Sequence, residues 1–412
     1  MKRLLYIVAS IMIFLFINNT ALSQASSTGG LATLIPEKNN RNFVVPLNEP
    51  INKQSKRLWK DLSYTEADVN TKTLKGLLWM IKYMNTDNHL KGNENNYLTM
   101  LGTMYCSSND PCLKRIAREE AKIIVNGLIK ADYFNNVQDA DELIEYLTLL
   151  NHLDIKDKKI EARVFLKLGE EKEKIINKVQ KLKSIKVDGD QLYDVMLMMY
   201  YITNLKKNFP HNEVLKGMPD LNDFFEILAR YKYHMEDIKN PDYSKLTSDD
   251  IDDIADDLYN ITHVIFVVCD YNYYKVPKRY FQRELDYIHK YSGLICSKYH
   301  NDPDLLTEVV YVLSAMGYPK NYKAIKDGWT KMLCSQKQDG SWEAFGTDED
   351  ETAIDKNYDI FHATWVAVDM ITEPAVMGTA PFYKSLKPSL KKYASYYREK
   401  MKEAKLNKLV KK

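Results

Sequence analysis

Two histidines stand in the same frame nearly a hundred residues apart. "YNITHVIFVVCD" (Tyr259–Asp270) and "YDIFHATWVAVD" (Tyr358–Asp369) share Tyr, Ile, His, Val and Asp at equal offsets. Each has an aliphatic residue two places before the His, an aromatic three after and an aliphatic four after. Between them "DLLTEVVYVLSA" (Asp304–Ala315) fits the frame with Leu306, Tyr311 and Val312, and puts Glu308 at the histidine's place. If these segments are parallel helices in register, His263, Glu308 and His362 meet at one depth. Two imidazoles and a carboxylate suit zinc or non-haem iron with a position left for water. Such a metal polarises a carbonyl or generates hydroxide near neutral pH. Without a metal the same trio suits general acid–base work, because an apolar cavity moves carboxyl and imidazole pKa values towards neutrality. A cavity-facing His362 adds little packing, so His362→Ala is expected to leave stability roughly intact.

Asp270 and Asp369 follow their histidines by seven residues, two helical turns on the same face and about 10 Å along the axis. They form either a second acidic layer or hydrogen bonds to neighbouring elements. The 29 tyrosines could line an aromatic cavity as well as fill helix interfaces.

The elements that must carry these residues are helical. Glycine is scarce, 15 in 412 residues, alternating β-branched runs are nearly absent, and apolar residues recur at three and four. About a dozen helices paired as hairpins are expected. The span 71–85 is followed directly by 112–132, and later spans include 138–153, 190–207, 246–268, 303–317 and 356–372. The frame extends upstream to "YDVMLMMYYITN" with Leu197, and more weakly to Glu145 and Gly76. The anchors 76, 145, 197, 263, 308 and 362 are separated by 69, 52, 66, 45 and 54 residues, one hairpin plus a loop each. Six hairpins suit a closed ring of inner and outer helices; an open solenoid is the alternative.

Two segments carry a resemblance. "QKQDGSW" (Gln336–Trp342) resembles the QW motif, Gln-x-x-Asp-Gly-Ser-Trp, of squalene-hopene cyclases and related terpenoid cyclases. The following "YDIFHATW" resembles the Tyr-His-Thr segment of protein prenyltransferase β subunits, whose His is a zinc ligand. The resemblance covers 336–369 and implies an all-α, (α/α)6 toroid with His362 as a ligand. The prenyltransferase Asp and Cys, two residues apart, have no counterpart, since Cys269 and Asp270 are adjacent. "SDDIDDIADD" (Ser248–Asp257) contains Asp250-Ile-Asp252-Asp253, which resembles the Asp-x-Asp-Asp motif of class II terpene cyclases and implies Asp252 as a proton donor. An acidic helix start capped by Ser248 is the other account.

Organisation and compartment follow from composition. Lys2 and Arg3, the apolar run Leu4–Ile17 and Thr20-Ala21-Leu22-Ser23 make residues 1–23 a secretory signal, without a Cys for a lipid anchor and too short for a span. Residues 24–56 form a loosely ordered arm, 57–405 the toroid domain and 406–412 a basic tail. The mature chain is expected to be secreted or periplasmic, with no membrane span. A net charge of +2 gives no basis for nucleic acid binding. Export permits a Cys106–Cys112 disulfide across a turn-prone loop, with Cys269, Cys296 and Cys334 as buried thiols. "GTDEDETAID" (Gly346–Asp355) is a solvated loop or a Ca²⁺ binder without EF-hand spacing. The function expected is an enzyme acting on a small, prenyl-like or sugar-like substrate, or else a non-catalytic ring binding a small-molecule or peptide ligand.

Overall fold

A computed structural model describes residues 66–410 except 87–88, 109, 138, 239, 272–273, 275, 296–302, 320, 343–352 and 373–381. The expected signal segment, the arm, Cys296 and most of the 346–355 loop lie outside the described residues.

Aspartates start many of the helices. Asp110, ahead of Pro111, accepts from the Cys112 amide at 2.7 Å; Asp157 accepts from Lys159 and Ile160; Asp188 and Asp220 form capping boxes with Gln191 and Asp223. Each satisfies amides that the first helical turn leaves unpaired. Among the described residues all regular structure is helical. The α-helices are α1 (Glu66–Met84), α2 (Glu94–Ser107), α3 (Pro111–Lys130), α4 (Tyr133–Asn136), α5 (Ala140–His152), α6 (Lys158–Leu182), α7 (Gly189–Asn208), α8 (Leu221–Leu228), α9 (Ser248–Cys269), α10 (Gln282–Ile295), α11 (Pro303–Ala315), α12 (Lys323–Ser335), α13 (Ala353–Thr372) and α14 (Tyr383–Val410). No described helix is long and apolar enough to cross a membrane.

Two kinds of helix alternate. α6 buries one stripe, Ile160, Val164, Leu168, Ile175, Val179 and Leu182, and leaves its other faces charged. α7 is buried nearly all round from Val195 to Leu205. The first pattern belongs to a helix at a surface, the second to one enclosed by others. The contacts agree. α2 packs against α5, α5 against α7, α7 against α9, α9 against α11, α11 against α13, and α13 back against α2. Outside these, α3 lies on α2, α6 on α5, α8 on α7, α10 on α9 and α11, α12 on α11, and α14 on α8 and α10.

α1, the first of the described helices, packs on α13. The turn Gln336–Trp342 makes the joint. Gln336 Nε2 donates to the carbonyls of Lys72 (2.8 Å) and Gly340 (2.9 Å), and Trp342 donates from Nε1 to Met332 and from its amide to the hydroxyl of Thr364. Gly340 has φ +104°, and a Cβ there would lie 2.6 Å from the Lys75 carbonyl oxygen. Only glycine allows that conformation and that approach.

Some expectations change here. The sequence reading runs from 85 to 112 without a helix, whereas α2 occupies 94–107. The Cys106–Cys112 disulfide is absent: both thiols are free, and Cys106 Sγ turns to the His152 carbonyl at 3.5 Å. Burial pushes the Cys106 thiol up to about 12. Cys269 is buried, but Cys334 is exposed. Thr247, not Ser248, caps α9, in a capping box with Asp250.

Candidate functional site

The six helices that contact one another in sequence enclose a cavity of about 90 Å³, and every one of them lines it. Five of the six frame positions are in the lining: Glu145, Leu197, His263, Glu308 and His362. The sixth is not. Gly76 lies on α1, where a Cβ would meet Val368 at 2.5 Å, so its smallness serves the packing of α1 on α13. The lining residues of the missing helix are Asn96, Thr99 and Thr103 of α2.

Asp304 and Glu308, one turn apart on α11, share a face. One ligand atom each from Asp304, Glu308 and His362 lie within 4.8 Å of one another. His362 Nδ1 donates to Asp304 Oδ2 at 2.8 Å, and the same oxygen accepts from the Tyr259 hydroxyl at 3.2 Å. Glu308, 3% exposed, accepts from Thr262 Oγ1 at 2.6 Å. Asp304 was missed in the sequence, although its place four residues before Glu308 was a signal for it.

His263 stands beside this trio rather than within it. Its Nδ1 is 3.7 Å from Glu308 Oε2 but 2.9 Å from the carbonyl of Tyr259, one turn back on its own helix. A carbonyl only accepts, so Nδ1 carries the proton and Nε2 keeps the lone pair in the neutral ring. Burial, reinforced by nearby His362, pushes His263 down to about 4. For His362 burial also opposes the charge, yet the charge and hydrogen bond of Asp304, with Glu308 behind them, win and raise its pKa. The two imidazoles are thus driven in opposite directions.

Two further carboxyls line the cavity. Burial pushes Glu145 up to about 7 against hydrogen bonds from Tyr201 and Asn95, and Asp369 up to about 8 against one from Trp365. At 2.7 Å the Trp365 indole holds Asp369 Oδ2. Asp270 does not join that layer: it caps α9 in the left-handed region, φ 56°, and accepts from the Tyr200 hydroxyl at 2.9 Å.

Asp252 does not reach the site. It is exposed in the opening turns of α9, and the eleven residues to His263 place it about 16 Å away along the axis. Its neighbours Asp250 and Asp253 hold His234, at 3.0 and 3.3 Å. Asp257 takes the Tyr231 hydroxyl and the His234 amide. The acidic run secures the start of α9.

In comparisons with known proteins, no family model, no curated protein and no solved structure matches this chain. The site itself must therefore carry the functional argument.

Proposed function

We propose that this chain is an exported enzyme with an (α/α)6 toroid fold, whose axial cavity holds one divalent metal ion on Asp304, Glu308 and His362. The observation that carries the metal reading is the convergence of those three ligand atoms within 4.8 Å, with Glu308 and His362 in the cavity lining. The succession of six helix contacts returning from α13 to α2, with single-striped helices outside it, supports the ring. Two carboxylates and an imidazole fit zinc or iron(II), with coordination positions left over. Bound there, a metal ion would supply Lewis acidity or an activated water.

The chain's own residues do the rest. Thr262 fixes the rotamer of Glu308, as an outer hydrogen-bond partner does for a ligand. Tyr259 does the same for Asp304 and, through its carbonyl, for the tautomer of His263. His263 Nε2 is the base. Its low pKa keeps it unprotonated at neutral pH and makes it a weak base, suited to accept a proton from an already acidified group. The proton on His362 Nδ1 occupies the bond to Asp304, so a metal ligated through Nδ1 would displace it.

One observation favours a second reading. The 2.8 Å His362–Asp304 bond favours a protonated His362, and a metal-free site would use His362 as acid and His263 as base. Titration with Zn²⁺ and Fe²⁺, followed by elemental analysis and a proton-release measurement, separates the two. One ion per chain, lost in Glu308→Gln, is the result expected. Absence of uptake by the unmutated chain removes the metal reading. If His263→Ala and His362→Ala also leave turnover unaffected across a broad hydrolase and lyase panel, the non-catalytic ring remains.

A further inference from the structure

The cavity holds more than the metal trio needs. Tyr193, Phe266, Tyr271, Tyr311, Tyr358 and Trp365 line it. The rings form nearly continuous walls. Tyr193 packs edge-on to His263 at 5.0 Å, His263 to Phe266 at 5.4 Å, and Phe266 contacts both Tyr271 (6.0 Å) and Tyr311 (5.9 Å). On α13, Tyr358 stacks on His362 at 4.7 Å and Trp365 meets that ring at 5.0 Å. Glu145, Glu308 and Asp369 add carboxyls, and among the described residues lining the cavity there is no Lys or Arg.

We propose that the end of this cavity around Glu145 binds a small organic cation, an alkylated ammonium headgroup. Aromatic faces attract such ions through their quadrupole, and desolvation strengthens the attraction. Carboxyls in an enclosed site, when ionised, add a field of the same sign. An anionic group such as a diphosphate meets no Lys or Arg in this lining. The volume, about 90 Å³, is below the roughly 300–1,000 Å³ of a site for drug-sized molecules, so a headgroup fits rather than a chain.

Glu145 supplies the anchor. Its Oε1 accepts from Tyr201 and its Oε2 from Asn95, both at 3.1 Å. A carboxylate has about four acceptor positions, so two stay available for a cation. α5, which carries Glu145, stands three steps from α11 in the succession of helix contacts, opposite Asp304 and Glu308. Glu145 and the Asp304–Glu308 pair therefore come from different helices of the contact succession. The inference rests on the cavity reading but not on metal occupancy.

The test uses the full chain, treated with EDTA and then reloaded with Zn²⁺. Calorimetric titration compares choline with 3,3-dimethylbutan-1-ol, its uncharged carbon isostere. Choline is expected to bind at least about tenfold more tightly than the isostere. Glu145→Gln, checked for an unchanged circular dichroism spectrum, is expected to weaken choline by about tenfold while divalent uptake stays the same. Equal affinity for the two probes, or no choline binding to the unmutated chain, overturns the proposal without need of a variant. Choline binding in a chain that takes up no divalent ion upholds it and overturns only the metal reading.

Discussion

The two copies of the Tyr-Ile-His-Val-Asp pattern fold alike and end in opposite chemical states. His263 spends Nδ1 on its own helix, at the Tyr259 carbonyl, and is held neutral. His362 spends Nδ1 on Asp304 of the adjacent α11 and is biased towards the cation. The trailing aspartates diverge too. α9 ends at Cys269, which places Asp270 beyond the helix and against Tyr200, whereas α13 continues to Thr372 and keeps Asp369 within reach of Trp365. A repeated segment fixes which face a side chain takes. The neighbour on that face decides its charge.

The largest effect expected from breaking this asymmetry belongs to His362→Ala. It removes one partner of a largely buried pair and the bond that Asp304 accepts from His362, so stability should fall by about 3 kcal/mol in urea unfolding and divalent uptake should vanish. The sequence alone suggested a nearly neutral substitution, because the pairing partner was not visible. Thr262→Val should follow. Without the hydroxyl on Glu308, divalent affinity should drop by about 10–100-fold in a competition assay with a chromophoric chelator.

Smaller again is a pH effect at the trailing position. Asp369 has a folded pKa of about 8 against roughly 3.9 unfolded, so the folded state holds the extra proton between those values. Its contribution to stability is full below pH 4 and is lost as pH rises to about 8. Asp369→Asn should flatten that part of the stability–pH curve, measured by urea unfolding at each pH. The smallest change is expected for His263→Ala, about 1 kcal/mol, because the carbonyl it releases sits inside a helix. A loss for His263→Ala as large as that for His362→Ala would remove the asymmetry.

Much of this was legible in the chain. The three-and-four spacing identified the helices, and the frame found five lining positions because an inward face repeats the same small set of residue types. α2 escaped although Tyr97, Met100, Leu101 and Met104 are buried at helical spacing: its cavity face is Asn96, Thr99 and Thr103, with Gly102 beside them, and these polar and small residues interrupt the apolar pattern. Thr99 bonds back to the Asn95 carbonyl at 2.9 Å, which satisfies its hydroxyl inside the helix. The Asp-x-Asp-Asp segment lies at a helix start, where a carboxylate run serves capping as well as chemistry, and Asp250 completes the capping box with Thr247. The disulfide expectation rested on proximity in sequence, and a helix boundary at Asp110 separates the two thiols into different helices.

The joint at Gln336 has a consequence for how the molecule comes into being. Its bond to the Lys72 carbonyl spans 264 residues, and the close approach of Gly340 to Lys75 belongs to the same joint. On a ribosome, α1 therefore emerges long before the surface it docks on exists, and must wait with its apolar side uncovered. The chain must be made as far as α13 before α1 finds its place, so slow synthesis exposes α1 to aggregation or to a holding chaperone.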